Sequence, residues 1–199
     1  MHERSQALQV FLSGLRDAIE TGRPPRSVSA MASRIFDTLE SLGETNSAEV
    51  PIRLPVCRYV DQALAIARAA GGSIKNLAES LRGIEPFLTW SRRQGADEVL
   101  TDFAEGHANA MVVGPGGLET RTDISIGISL MAPNVQYPDH RHPPEEIYVA
   151  LSAGAWRQAD GPWVTPGIGG FVHNPPNIVH AMRSESTPLL AIWYLRHAE

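Results

Sequence analysis

The stretch Tyr137-Pro138-Asp139-His140-Arg141-His142-Pro143-Pro144-Glu145-Glu146-Ile147-Tyr148, answered far downstream by His180, decides how this chain is read. His140 and His142 are two residues apart and point to one side of an extended strand. Glu146 and Tyr148 repeat that parity after the Pro143-Pro144 break. Imidazole and carboxylate groups gathered in this way suit one divalent transition metal (Zn, Fe, Mn, Co or Ni), and three or four such ligands leave a position open for water or a substrate oxygen. Glu145 has the opposite parity and is expected at the solvent. His107, His173 and His197 have no ligand partner at a useful spacing and read as surface or hydrogen-bonded structural histidines.

The sequence around this stretch, from about residue 108 onward, is β-like. Short runs rich in Val, Ile and aromatic residues (111–113, 124–131, 147–151, 170–173 and 189–195) are separated by Gly, Pro and Asn, the pattern of a sandwich or barrel. Val112 to Leu118 is glycine-rich but lacks the order of a phosphate loop, and is expected to be a hairpin turn. The first half reads as helix. Apolar residues recur at three and four from Ser5 to Thr21, from Ser29 to Leu42, and from Arg58 to Ala70. A fourth helix, with Ser73 as its N-cap, runs to Ile84. A polar loop is expected from Glu44 to Pro55. The fold expected is α+β, mostly β: a helical region over 1–107 and a β-barrel over 108–199, with a soft boundary and the helices covering the barrel's outside or one edge.

The 199 residues are 43% hydrophobic and 20% charged, with a formal net charge of −5. These are the values of an ordinary globular chain, and without a Lys/Arg run they argue against nucleic acid as a partner. No window approaches the ~20 apolar residues of a membrane span, and the amino terminus lacks the apolar core of a secretory signal. Cys57, the single cysteine, can form no intrachain disulfide and is expected to be buried. A cytoplasmic protein is the expectation.

The spacing His140, His142, Glu146, with His180 behind Gly169 and Pro175, resembles the two motifs of the cupin superfamily, small double-sheet barrels that hold one metal. Asn134 stands where the first motif has its opening glycine, and Gly154 falls near its closing one. In the second motif Asn177 replaces a glycine and Ser184 an asparagine; Asn tolerates the positive φ of a tight turn. Tyr137 and Tyr148 beside the ligands narrow the likeness. Together with the helix-then-barrel order, the set resembles the DddQ-type dimethylsulfoniopropionate lyases, cupin enzymes that cleave this osmolyte to acrylate and dimethyl sulfide.

That resemblance implies a carbon–sulfur lyase acting by β-elimination on a small sulfonium carboxylate. His142, Glu146 and His180 would hold the metal, and His140 would be either a fourth ligand or a hydrogen-bonding neighbour of the ligands, with Tyr148 itself then touching the metal. The metal would accept the substrate carboxylate and stabilise the charge that develops when the adjacent carbon loses its proton. Tyr148 is the expected base, with Tyr137 as an alternative base or a donor that orients the carboxylate. Aromatic faces suit the sulfonium, and Trp193 and Tyr194 are the candidates, one of the two facing inward. Two other readings stay open: an iron cupin dioxygenase acting on a small thiol, and a non-catalytic small-molecule sensor. Cupins often pair through sheet edges, so both a homodimer and a monomer are compatible with the sequence.

Overall fold

The computed structural model describes residues 3–45, 50–93 and 101–197. Part of the expected Glu44 to Pro55 loop, and residues 94–100 of the helical region, lie outside that set.

Helix α1 (Gln6–Thr21) opens where the Leu8 N–H donates to Ser5 Oγ, and it buries Leu8, Phe11, Leu12, Leu15, Ala18 and Ile19. Those six residues follow the expected spacing of one helical face. Helix α2 (Arg26–Thr38) begins a turn earlier than expected, directly after Pro25, whose fixed φ of −55° suits a helix entry. It also stops before Leu42. Helix α3 (Val60–Ala69) follows a 3-10 turn, and α4 (Gly72–Ile84) begins ahead of Ser73. Ser73 is therefore no cap. Gly71, at φ 75°, takes that position at no steric cost, and Ser73 Oγ accepts a 2.7 Å bond from Thr21 Oγ1. A short α5 (Thr101–Gly106) leads into the sheets.

The larger sheet contains β1 (Glu44–Thr45), β2 (Trp90–Ser91), β3 (His107–Val113), β4 (Glu119–Thr120), β5 (Ile124–Met131), β7 (Glu145–Ala150), β9 (Phe171–Asn174) and β11 (Leu189–Arg196). Its order is β1-β4-β3-β5-β11-β7-β9, with β2 on β3. The smaller sheet is β6 (Gln136–His140), β10 (His180–Arg183) and β8 (Ala155–Gln158), in that order. β8 and β10 are not among the expected β runs, and β6 is expected only as the extended stretch that carries His140. They carry Pro138, Asp139, His140, Arg157, Gln158, His180 and Arg183 in place of an alternating apolar face. The glycine-rich turn also differs from expectation. It does not form a hairpin: Val113 pairs with Glu119 in parallel, with the Gly114 N–H on the Glu119 carbonyl.

Strand parity sorts the core into two layers. Ile126, Ile128 and Leu130 of β5, Ile147 and Val149 of β7, and Leu190, Ile192 and Tyr194 of β11 pack with α1 to α4. The alternate residues, Met131, Tyr148, Ala150, Leu189, Ala191 and the flanking Trp193, face the smaller sheet with Tyr137, Trp156 and Met182. Because both faces of β5 are covered, it is buried along its whole length, which explains its unbroken apolar run. Trp193 lies over Gly127, its register partner, where an added Cβ would collide with the indole ring. The helices thus cover one face of a double-sheet barrel, as expected, and the space between the sheets is left for the site. No described helix is long and apolar enough to cross a membrane.

Candidate metal centre

Four elements bring the motif residues together. His180 on β10 is the register partner of His140 on β6. Two residues further along β10, Met182 pairs with Tyr137, so β6 spans three residues where β10 spans two. This bulge lets Tyr137 and His140, of opposite parity in a regular strand, serve one side. His142 is not on a strand, contrary to the simple parity argument; β6 ends at His140 and His142 sits in the turn before β7. Glu146 and Tyr148, of one parity on β7, are both buried.

Ligand atoms of His140, His142 and His180 lie within 4.8 Å of one another. Each ring has its Nδ1 against a backbone carbonyl two residues away: Pro138 at 2.9 Å, Pro144 at 2.9 Å and Ile178 at 3.0 Å. A carbonyl only accepts, so each Nδ1 carries the hydrogen and each Nε2 is left to face the centre, that of His142 toward Glu146. Glu146 Oε2 stands 3.3 Å from His142 Nε2 and 3.2 Å from His180 Nε2. His180 Nε2 nevertheless makes no hydrogen bond, because its approach to the carboxylate lacks the geometry of one. Three imidazole Nε2 atoms crowded beside a carboxylate call for a cation among them, a proton between His142 and Glu146 or a metal ion. The donor set, three N with a carboxylate O beside two of them, fits a divalent transition metal.

Burial pulls His140 down to about 3, with the neighbouring His180 adding to the effect. Burial would raise Glu146, but its contacts with His142 and His180 outweigh that and hold the carboxyl at about 2. His142 is pulled down by burial and pushed up more strongly by Glu146. In metal-free protein, the unfolded chain protonates His140 near 6.5 and Glu146 near 4.5, well above their folded values. Both groups therefore contribute stability that is lost as pH falls, between 6.5 and about 3 for the first and between 4.5 and about 2 for the second. His142 works the other way: its raised value adds stability in acid and loses it as pH rises. We expect the denaturation midpoint of metal-free protein to drop between about pH 6 and pH 4, read by guanidinium titration. A midpoint that holds or rises over that range contradicts this electrostatic picture.

Sequence reading missed the residue that fixes the carboxylate. Asn174 on β9, fully buried, donates from Nδ2 to Glu146 Oε2 at 2.9 Å, and its Oδ1 accepts from Gln158 Nε2 at 2.7 Å. The pairing Glu146↔Asn174 across β7 and β9 makes this contact. Outer partners of this kind orient a ligand, and their loss typically costs about 10–100-fold in metal affinity. Asn174→Leu should lower affinity by that factor, measured by competition with a chelating dye; unchanged affinity would remove Asn174 from the support of the site. Glu145 is also placed differently from expectation. It is half-buried on the helix side, accepting from His173 Nε2 at 2.7 Å and lying 3.7 Å from Arg34 of α2. The two motif asparagines, Asn134 and Asn177, both sit at φ 60°. Ser184 joins the motifs, donating to the Ala132 carbonyl and accepting from the Val135 N–H.

The aromatic residues divide by face. Tyr137 packs 4.6 Å from His140, and Tyr148 packs 5.9 Å from Trp156. Burial raises the pKa of both phenols, and for Tyr148 the charge of Glu146 raises it further. Trp193 borders this interior, whereas Tyr194 lies on the opposite face of β11 among the helices, its hydroxyl buried without a partner. Trp193 and Tyr194 are thus not brought to the same site. His197, bonded to Ser125 Oγ at 2.8 Å, is outside the cluster.

Comparison with known proteins agrees with this architecture. The family model described as dimethylsulfoniopropionate lyase matches residues 27–191. DddL of Cereibacter sphaeroides is 28% identical over 159 residues, covering 78% of this chain and 66% of that protein, so the chain spans just under two thirds of that relative. Dimethylsulfoniopropionate lyase DddQ of Ruegeria pomeroyi is 24% identical over 143 residues, covering 71% of this chain and 70% of that protein. The crystal structure of DddQ from Ruegeria pomeroyi DSS-3 superposes with a TM-score of 0.72 at 21% identity, covering 96% of this chain and 91% of that one. At that identity the superposition speaks for a shared fold. With the family match extending over helices and barrel together, the chain belongs to the dimethylsulfoniopropionate lyase family.

Proposed function

We propose that the chain cleaves dimethylsulfoniopropionate to dimethyl sulfide and acrylate, with His140, His142, Glu146 and His180 holding one divalent transition metal. The observation that carries this reading is the cluster of three Nδ1-anchored imidazoles, two of which, His142 and His180, bring Nε2 to a buried carboxylate. When bound, the metal supplies a Lewis acid for the substrate carboxylate. Zn, Fe, Mn, Co and Ni all suit this donor set, and availability would decide among them.

Tyr148 is the proposed base. Its phenolate takes the proton from the carbon next to the carboxylate, the electron pair forms the carbon–carbon double bond, and the carbon–sulfur bond breaks with its pair going to sulfur. The proton then leaves to water, so dimethyl sulfide, acrylate and one proton account for the substrate. A phenol this deeply buried beside Glu146 holds its proton tightly. A cation at the imidazoles offsets Glu146 and favours the phenolate. Tyr137, on the other side of His140, is proposed to orient the carboxylate through its hydroxyl. Trp193 is proposed to border the sulfonium, with Tyr194 serving the helix interface instead. The regions 1–107 and 108–199 are proposed to fold as one unit, since buried side chains run continuously from the helices onto the larger sheet. The expectation of a cytoplasmic protein rests on the sequence.

Chelator dialysis tests the metal part. Turnover should fall to background and return with about one equivalent of divalent ion per chain. Full turnover after exhaustive chelation would contradict it. An oxygen-free assay separates elimination from the dioxygenase reading, because elimination consumes no O₂ and should run unchanged.

A further inference from the structure

The Tyr137 side of the centre carries a cation to which the reaction above gives no task. Arg93 follows β2, and its backbone N–H donates to His107 Nε2 at 2.9 Å. His107 Nδ1 in turn donates to the Phe103 carbonyl at 2.5 Å, so the ring is held at both nitrogens. It stacks on Phe103 at 3.8 Å between centroids, and the two rings stand edge-on to Tyr137 at 5.5 and 4.6 Å. Against this block the guanidinium carbon of Arg93 sits 5.5 Å from the centre of the Tyr137 ring. The His140 ring lies 4.6 Å from Tyr137. Among the described residues, no carboxylate forms an ion pair with Arg93. Its charge works against protonation of His140 and His142 and toward the phenolate of both tyrosines.

We propose that Arg93 is a substrate-binding residue: its guanidinium takes the substrate carboxylate on the Tyr137 side of the centre, leaving the sulfonium to the aromatic side formed by Tyr148, Trp156 and Trp193. The inference rests on the lyase reading and adds an orientation to it. A guanidinium and a metal dication repel one another, and the group that reconciles them is an anion, which has two oxygens to share between them. The substrate has one anionic end and one cationic end, and the cationic end is repelled from Arg93. Tyr148 and Trp156, 5.9 Å apart between ring centres, offer the π faces that a sulfonium prefers. The carbon that loses its proton lies between these ends.

Two probes separate the ends: acrylate has the carboxylate without the sulfonium, and trimethylsulfonium the reverse. Calorimetric titration of metal-loaded wild type, Arg93→Gln and Arg93→Lys reads each. Arg93→Gln should bind acrylate at least about tenfold more weakly, as expected for loss of a charge-assisted bond. Arg93→Lys should recover part of that loss, and trimethylsulfonium should bind all three alike. In turnover, KM for the sulfonium substrate should rise about tenfold with kcat within about threefold. Equal acrylate affinity in wild type and Arg93→Gln, no measurable acrylate binding to wild type, or a fall in kcat at constant KM would overturn the proposal. Should the Gln variant fail to fold, Arg93→Met takes its place, and acrylate affinity equal to wild type in that variant overturns the proposal. If the protein lacks lyase turnover, the acrylate titration still reads Arg93, so the two failures are distinguishable.

Discussion

Replacing Tyr148 by Phe is expected to lower turnover of dimethylsulfoniopropionate by about 10²- to 10⁴-fold while leaving fold and metal content as they are. The change removes one oxygen from a ring that is 3% exposed and packed against Trp156. The cavity left is small, and the ring keeps its neighbours. What disappears is the group proposed to accept the α-proton. Circular dichroism, metal analysis and gas-phase detection of dimethyl sulfide read the three properties separately. Turnover near wild type would remove Tyr148 as the base and shift that role to Tyr137, whose ring lies 4.6 Å from that of His140. Phe at 137 then becomes the informative variant. Under the present reading Tyr137→Phe weakens substrate binding more than it slows the chemical step.

His180→Ala should produce the largest loss of metal. The ring is 2% exposed, and its strand places it between His140 on one side and Gln158 on the other. No other described side chain is positioned to replace its Nε2 among the clustered ligand atoms. Loss of an outer partner alone costs about 10–100-fold in affinity, so loss of a ligand should exceed about 100-fold. The purified variant should hold well under one equivalent of metal by elemental analysis. His173→Ala is the control, since that ring bonds Glu145 on the helix side of the sheet. It should retain the full equivalent. Equal metal in wild type and His180→Ala would exclude His180 from the centre.

Much of this architecture is legible in the sequence, for reasons that can be stated residue by residue. The helices α1 and α4 are clear because each buries one apolar stripe at helical spacing. The strands β5, β7 and β11 are clear because both of their faces are covered, which produces unbroken apolar runs. The smaller sheet is not legible. Its strands trade apolar alternation for His140, His180, Gln158 and two arginines, and β6 contains a bulge that breaks the period of two. For the same reason, strand parity alone would separate Tyr137 from His140, and only the bulge reunites them. Asn174 escapes notice because its role depends on register with Glu146 across two strands distant in sequence. Arg93 is hidden similarly: it follows β2, which pairs with β3, and its guanidinium meets the Tyr137 ring from a strand distant in sequence. Local spacing points to the candidate ligands; the residues that position them depend on which strands meet.

The assay that bears most directly on the central claim is incubation of the purified, metal-loaded protein with dimethylsulfoniopropionate in the absence of oxygen, with dimethyl sulfide and acrylate both quantified. Equal molar amounts of the two products, dependent on added divalent metal and lost in Tyr148→Phe, are the predicted result. Absence of both products with every one of Zn, Fe, Mn, Co and Ni would contradict it.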